Sequence, residues 1–395
     1  MTTQTTNQSK RLFTFIALGT ILTMGLWDAT RGVILPHLLT DLRVGPTLGS
    51  QILVASAVGY LVNSLSFGTY SRRLGLRKVA GLGVAVVLVF LTLFLTLKLP
   101  LLLIPAGMVM GAGLGMIEMT TSLPISLLYG DQQSGILNLL HGCFGMGAFL
   151  GSMYAAGLMS AGFGWRVPLA LIGGLLVTWG LVYRRLPELS LATPHSGAKG
   201  FGPVLRDPYV WAATLAVFFA CVGEAGAVIW LPTYMQKVKG LSDAASALTL
   251  SFFFAGFTGM RLAGGWVVRR LGEVRSVVGL AAVGAVGLFL LMRQPGSWFW
   301  LAALAGMGVA VGFATCTSLA CMRYPDRVDQ IYTMIYSAGG LSVILSAPLM
   351  GWIGERVGFA STMWVPFTGY IAVMALMTFY GLGTRQRALA PTTSD

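Results

Sequence analysis

Charge is scarce in this sequence. Charged residues make up 10% of the 395 residues and hydrophobic residues 55%, whereas an ordinary soluble domain carries about 25% charged residues. A soluble chain with so few charged side chains could not cover its surface with polar groups. The composition excludes a soluble domain and indicates an integral membrane protein.

Residues that often carry catalysis or cross-links are equally few. The 3 histidines lie in separate regions, and the 4 cysteines lie in apolar stretches without metal-ligand spacing. These cysteines are expected to be reduced packing residues. No Gly-x-x-x-x-Gly-Lys-Ser/Thr run is present in the sequence, which argues against ATP-driven chemistry. We therefore expect no enzyme activity, no metal and no other cofactor.

Apolar runs, in contrast, are long and numerous. Each is about 18–25 residues, enough for a helix to cross a hydrocarbon core of about 30 Å. The predicted fold class is an all-α membrane protein with twelve transmembrane helices in two pseudo-symmetric six-helix halves. The predicted spans are 12–38, 48–70, 78–98, 101–128, 136–161, 165–183, 209–235, 243–268, 274–292, 297–322, 329–353 and 360–382.

One long polar stretch divides the apolar runs. Residues 184–208 contain four basic residues and four prolines, and we interpret them as a cytoplasmic linker. The linker separates an N-terminal half (residues 1–183) from a C-terminal half (residues 209–395). Met1–Lys10 lacks the pattern of a cleavable signal peptide, so the first apolar run is expected to remain as a helix.

The net charge of +13 is distributed unevenly over the predicted loops. Most of the 26 basic residues fall in the N-terminus, the linker, the C-terminus and the loops on that side. This asymmetry follows the positive-inside rule and predicts that both termini are cytoplasmic. The basic character thus indicates orientation in an inner (plasma) membrane and not a nucleic-acid partner.

Two short turns of similar sequence follow the second and the eighth apolar runs. Each has a glycine, a pair of arginines and a second glycine at matching positions. A chain that repeats itself once over its length has the plan of a secondary transporter. We predict a cytoplasmic gate that comprises Gly68, Arg72, Arg73, Gly75, Arg77, Gly265, Arg269, Arg270, Gly272 and, near the end of the eighth span, Arg261.

Five charged residues lie deep within predicted spans: Asp28, Arg31, Glu118, Glu224 and Arg261. An isolated charge at mid-membrane costs about 2.5–3.5 kcal/mol on insertion scales. Such residues are expected to line a polar cavity, to pair with one another, or both. They are the first candidates for function.

Asp28 and Arg31 are three residues apart and share one helix face. We predict that Asp28 binds a proton or the substrate and that Arg31 modulates its proton affinity; the alternative is a self-contained ion pair. Glu118 has no cation near it in the sequence, and we predict a proton site, against a structural hydrogen bond. Glu224 is the repeat counterpart of Asp28. Arg261 is a cavity-lining residue or a structural clamp.

Further polar and aromatic residues within the spans are candidates for substrate contact. Asn138 and His141 share a face of the fifth span, and Trp27 and Trp230 flank the acids of the first and seventh spans. For most of them a structural role is the alternative. The predicted substrate-binding set is Asn138, His141, Trp27, Glu224, Trp230, Asn63 and Tyr336.

The layout, the linker and the paired turns resemble the major facilitator superfamily. The family's loop between helices 2 and 3 typically contains Gly-x-x-x-Asp-Arg-x-Gly-Arg-Arg/Lys. Gly68, Arg73, Gly75 and Arg77 match this pattern, whereas Arg72 stands at the Asp position. The resemblance covers the whole chain and implies the major facilitator fold with alternating access.

The fifth span is similar to that of the fucose/galactose/glucose:proton symporter branch. The similarity lies in Leu137–Leu139 with His141 and in the run from Phe144 to Ala148. That branch also has an acid in helix 1 and a Glu in helix 4, matched here by Asp28 and Glu118. The resemblance implies that these acids link proton binding to sugar binding and that Asn138 contacts sugar.

We therefore predict a proton-coupled symporter for a small polar solute, sugar-like as a first interpretation. Its partners would be the solute, protons and the lipid bilayer, and it would act as a monomer. One alternative is a proton antiporter that expels amphipathic drugs, which many aromatic and methionine side chains would suit. Another is a receptor or lipid-scrambling protein of the same fold with no coupling ion.

Overall fold

The computed structural model describes residues 7–129, 133–185, 202–324 and 327–389. Within these ranges the side chains at 7–9, 68–69, 72, 122–129, 133–138, 141, 328–329, 332–333 and 384–389 are outside the description. The described part contains helices and no strands. Because lipid offers no hydrogen-bond partners, helices satisfy the backbone of each apolar run internally.

The first half consists of six long helices. They are α1 (Asn7–Leu42), α2 (Pro46–Leu74), α3 (Leu76–Thr96), α4 (Pro100–Tyr129), α5 (Gln133–Ser160) and α6 (Arg166–Tyr183). Most of the predicted linker, residues 186–201, lies outside the described residues. The domain boundaries at 183/184 and 208/209 stay a prediction.

A short helix, α7 (Gly202–Leu205), lies within the predicted linker. The second half contains one interrupted span, and its helices are α8 (Pro208–Lys237), α9 (Asp243–Leu271), α10 (Glu273–Arg293), α11 (Ala302–Val309), α12 (Gly312–Arg323), α13 (Val328–Arg356) and α14 (Trp364–Leu389). A 3₁₀ turn (Gly296–Leu301) precedes α11. Among the residues that the structure describes, twelve segments are long and apolar enough to cross a membrane, which confirms the predicted number, although several helices extend past the predicted span ends.

The tenth apolar run differs from its prediction because it is not one continuous helix. It divides into α11 and α12 at Ala310 and Val311. Val311 has φ −97° and ψ −13°, outside the range of a regular α-helix. The run contains no proline at this point, so its sequence gave no strong signal for a break.

Small residues allow the helices of each half to pack closely, as is common in membranes. At the contact between α1 and α5, a Cβ atom on Gly25 would collide with the carbonyl of Phe144, and one on Gly147 would collide with the carbonyl of Leu22. Across the halves, α1 packs on α8, α2 on α13 and α5 on α9. These three contacts surround the centre of the molecule.

The two similar turns have the same backbone geometry. Gly75 ends α2 with φ 79° and ψ 150°, and Gly272 ends α9 with φ 82° and ψ 158°. Both pairs of backbone angles lie in a region with positive φ that residues other than glycine rarely adopt. The sequence repeat is thus a structural repeat, and the glycines permit the sharp reversal into α3 and α10.

Candidate functional site

A cavity lies between the two halves and has two adjoining lobes of about 500 and 360 Å³. Asp28, Arg31, Tyr60 and Glu118 line both lobes. The larger lobe is lined by Ile21, Asp28, Arg31, Tyr60, Glu118, Leu140, Phe144, Cys221, Glu224, Ala225, Val228, Ile229, Arg261, Phe313, Tyr336 and Val343. All five charged residues predicted from the spans therefore meet at one cavity.

The end of the bundle away from the termini, here called the far end, is closed. His37 Nε2 lies 2.9 Å from Asp243 Oδ2, and Ser152 Oγ lies 2.6 Å from Ser251 Oγ; both contacts join the two halves. A Cβ on Gly32 would collide with the carbonyl of Val228, so α1 and α8 are in tight contact there. The α1 residues that line the cavity, Ile21, Asp28 and Arg31, precede Gly32 and so lie towards the end at which α1 begins, here called the terminal end.

Asp28 and Arg31 form an ion pair within α1, as their spacing predicted. Arg31 is 8% exposed, and its Nε has no hydrogen-bond partner among the described residues. A buried guanidinium with a free donor is costly unless a further partner can reach it. The pair lines the cavity and therefore remains accessible to a solute.

Glu118 projects from α4 into the same space. The hydroxyl of Tyr60 on α2 lies close enough to its carboxyl group to interact with it electrostatically, and no basic group in the described part of the chain forms an ion pair with it. Close packing of α4 on α2 brings the two residues together, since a Cβ on Gly111 would collide with the carbonyl of Ser56. Glu118 is thus the cavity carboxylate with the least compensation.

Glu224 and Arg261 contribute the charges of the second half. Arg261 Nε donates a hydrogen bond of 3.2 Å to the carbonyl of Ala310, and its guanidinium lies 4.2 Å from the centre of the Phe257 ring. The carboxyl group of Glu224 is within electrostatic reach of Arg261, but the two form no direct salt bridge. Arg261 is therefore both a cavity residue and a support for the break between α11 and α12.

The structure separates the two predicted tryptophans. Trp27 is 6% exposed and contributes to the wall of the smaller lobe. Trp230 is fully buried, and its Nε1 donates a hydrogen bond of 2.9 Å to the carbonyl of Ala347. It is not among the residues that line either lobe, because its side chain packs within the second half beside Phe359.

The remaining predicted contact residues fall in different places. Tyr336 lines both lobes, and its ring packs edge-on against Phe313 with centroids 5.1 Å apart. Asn63 is buried, accepts a hydrogen bond from the Tyr70 hydroxyl and contacts Met119; it does not line either lobe. The side chains of Asn138 and His141 on α5 lie outside the described residues.

The predicted gate residues lie around the turns at the terminal end. Arg73, Arg269 and Arg270 are exposed, and the guanidinium of Arg270 lies 5.7 Å from the centre of the Trp266 ring. Gly68 lies in α2, Arg77 in α3 and Gly265 in α9, while the side chain of Arg72 is outside the described residues. A gating function for these residues stays a prediction.

Several cavity residues were missed by sequence reasoning. Ser56, Tyr60 and Ser64 line the smaller lobe from one face of α2, and their spacing of four residues was an available signal. Phe144 and Phe313 gave no such signal, since aromatic residues are common throughout the spans. The described residues contain no group of three or more His, Cys, Asp and Glu side chains that could hold a metal ion.

Comparison with known proteins places this geometry in a family. The model of the Major Facilitator Superfamily matches residues 16–301. An uncharacterized MFS-type transporter of Yersinia pestis is 21% identical over 375 residues, which are 94% of this chain and 90% of that protein. The nitrite extrusion protein of Bacillus subtilis is 21% identical over 352 residues, 82% of this chain and 84% of its own. Dipeptide and tripeptide permease A of Serratia proteamaculans is 28% identical over 151 residues, 36% of this chain and 30% of its own.

Proposed function

Because the chain belongs to the major facilitator superfamily, we propose that it is a proton-coupled secondary transporter. It moves a small polar solute through the central cavity by alternating access. The observation that carries this proposal is the place of Glu118, a carboxylate in the wall of both lobes beside Tyr60 that forms no ion pair with any described basic residue. A carboxyl group in such a place can bind and release a proton as its access to water changes.

The ion pair on α1 supports a second proton site. When Asp28 is ionised it is paired with Arg31. When Asp28 takes up a proton, this attraction is lost and Arg31 becomes available to another group. Proton binding would thus change what the cavity can hold, which is the requirement for coupling.

The resemblance and the cavity wall favour two candidate classes of solute. A sugar-like solute is the interpretation that the resemblance implies, with Asn138 as a contact. Expulsion of amphipathic compounds is a second candidate, supported by the rings of Phe144, Phe313 and Tyr336 in the wall. Some relatives are named for nitrite and for small peptides, so charged solutes occur among the proteins to which this chain is similar.

We further propose that the protein lies in the inner (plasma) membrane as a monomer with cytoplasmic termini. The support is the exposed cluster of Arg73, Lys78, Arg269 and Arg270 at the terminal end, consistent with the positive-inside rule. In this orientation the contacts between the halves at the far end lie on the outer side of the membrane.

The test is proton flux in liposomes that contain the purified protein and a pH-sensitive dye. Candidate solutes are D-glucose, L-fucose, benzoate and tetraphenylphosphonium, each added with and without an imposed pH gradient. We expect one class to move protons, and Glu118→Gln to abolish that flux while solute exchange without net proton movement persists. The control is Glu273→Gln, at the start of α10 and outside the cavity. Proton-linked flux that survives in Glu118→Gln, or its absence with every solute, contradicts the proposal.

A further inference from the structure

The charged and titratable groups that face the cavity come from both halves. They are Asp28 and Arg31 on α1, Tyr60 on α2, Glu118 on α4, Cys221 and Glu224 on α8, Arg261 on α9 and Tyr336 on α13. His141 on α5 lies outside the described side chains. Among the described groups, three carboxylates face two guanidinium groups, so the ionised cavity has one negative charge in excess.

Protonation reverses this excess. If Asp28 and Glu118 each bind a proton, Glu224 remains as one carboxylate against the guanidinium groups of Arg31 and Arg261. The cavity then has one positive charge in excess, inside a low-dielectric surrounding where an uncompensated charge is costly. A single negative charge on a solute would restore neutrality.

Resting on the proton-coupled function above, we propose that the transported solute is a small organic monoanion whose negative group takes the place of Asp28 on Arg31. The structure shows that a carboxylate can reach this guanidinium, since Asp28 is already bound to it. The Nε of Arg31 has no hydrogen-bond partner among the described residues and is itself buried, so it becomes a second donor when the guanidinium turns from Asp28 towards the solute. A planar guanidinium can bind a carboxylate through two parallel hydrogen bonds, and Asp28 does not complete both, since Nε has no partner among the described residues.

The rest of the cavity suits the remainder of such a solute. Leu140, Phe144, Phe313 and Val343 form apolar wall beside the charged groups, where a hydrocarbon or aromatic body would be desolvated. Arg261 attracts the anion from the opposite half and would help it bridge the halves. A neutral polyol would instead leave both guanidinium groups uncompensated.

The test is ligand-dependent thermal stabilisation of the full-length protein in detergent, followed by calorimetric titration. The probes are acetate, lactate, pyruvate and benzoate, with benzamide and benzylammonium as neutral and cationic analogues of benzoate. We expect at least one monoanion to stabilise the protein, at least tenfold more tightly at pH 6 than at pH 8, and neither analogue to do so. Stabilisation by none of the anions, or equally by benzamide, overturns the proposal.

Variants separate the assigned groups. Arg31→Gln is expected to weaken anion binding at least tenfold, and Arg31→Lys to restore part of it. Asp28→Asn, which imitates the protonated acid, is expected to bind the anion at pH 8 at least tenfold more tightly than the unmodified protein. Arg293→Gln, on an exposed residue at the far end of α10, is the matched control. Unchanged binding in Arg31→Gln contradicts the proposal even if the other variants fail to fold.

The outcomes distinguish this proposal from the function on which it rests. Proton-linked flux of a neutral or cationic solute, without anion binding, removes the monoanion assignment and leaves proton coupling intact. Anion binding that is independent of pH and of Asp28 supports a monoanion as the solute. The same result contradicts the proposed exchange in which proton uptake by Asp28 makes Arg31 available to the anion.

Discussion

Thr47 at the start of α2 donates two hydrogen bonds to Glu355 near the end of α13. Its backbone N lies 2.9 Å from Oε1 and its Oγ1 lies 2.7 Å from Oε2. The two residues belong to different halves and meet at the far end. Hydrogen bonds to an ionised carboxylate are stronger than hydrogen bonds between neutral groups. This contact therefore favours the conformation in which the far end is closed.

We predict that Glu355→Ala shifts the protein towards opening at the far end. Loss of both hydrogen bonds at this exposed site is worth about 1 kcal/mol, or roughly a fivefold change in the population ratio. Spin labels can be placed at Lys98 and Arg293, which are both exposed and lie in opposite halves. In Glu355→Ala the distribution of distances between the two labels should shift towards the longer distances of a conformation that is open at the far end. The neighbouring variant Arg356→Ala should leave the distance distribution unchanged. Equal distributions in all three proteins would show that the contact does not hold the far end closed.

Close packing of α1 on α5 gives a prediction about stability. A Cβ on Gly147 would meet the backbone of Leu22, whereas one on Gly157 in the same helix meets nothing within 4 Å. Gly147→Ala should therefore lower the thermal midpoint of unfolding by several degrees, with a cost of about 1–3 kcal/mol from overpacking. Gly157→Ala should be neutral or slightly stabilising. Equal midpoints would mean that the helices can separate at this contact without cost.

Asp207 lies just before α8, outside the membrane spans, and its carboxyl group makes the stability of the fold depend on pH. Burial acts to raise the pKa of its carboxyl group, but Arg323 at 2.8 Å, the backbone N of Tyr209 and the hydroxyl of Tyr324 together hold the pKa below the ordinary value of 3.8. A carboxyl group whose pKa is lower in the folded state stabilises the fold above its unfolded pKa. That stability is lost as the pH falls through the folded value.

The prediction is that Asp207→Asn loses about 1–3 kcal/mol near pH 7, because it leaves the partly buried Arg323 without its counter-ion. The difference from the unmodified protein should shrink as the pH falls below about 4. The measurement is the thermal midpoint of unfolding between pH 3.5 and pH 7. Glu273→Gln, which removes a carboxylate at the start of α10 outside this ion pair, is the comparison variant. A difference that stays constant over this range would contradict the role assigned to the ion pair.

Much of the fold was predictable because its signals are local. Apolar length defines a span, and the turns at Gly75 and Gly272 need a residue without a side chain, so composition and repeat were sufficient. The shared face of Asp28 and Arg31 likewise follows from helix periodicity alone. The convergence of all five intramembrane charges on one cavity was foreseeable, since the cost of an isolated charge leaves few other solutions.

Other features depend on contacts between residues distant in sequence. Trp230 lies six residues after Glu224 on α8, so the two side chains project from different faces of the helix. The indole N–H of Trp230 donates its hydrogen bond to the carbonyl of Ala347 on α13. Tyr60 acquires its role only because α2 packs on α4. The break in the tenth span lies within a continuous apolar run, at the point where Arg261 of α9 donates a hydrogen bond to the carbonyl of Ala310. No local sequence pattern predicts a contact between residues so far apart in the chain.

That break leads to the last prediction, on Arg261. At a helix break the backbone carbonyls lose partners within the helix, and Arg261 Nε donates to the carbonyl of Ala310 at this point. Arg261→Met should leave that carbonyl without a partner and cost about 1–3 kcal/mol. The expected signs are a lower thermal midpoint without ligand and faster hydrogen exchange in residues 307–314. Arg293→Met, whose guanidinium lies 5.3 Å from the centre of the Phe289 ring, controls for the loss of an arginine–aromatic contact. If exchange at the break is the same in both variants, the glycines around it and not Arg261 determine its shape.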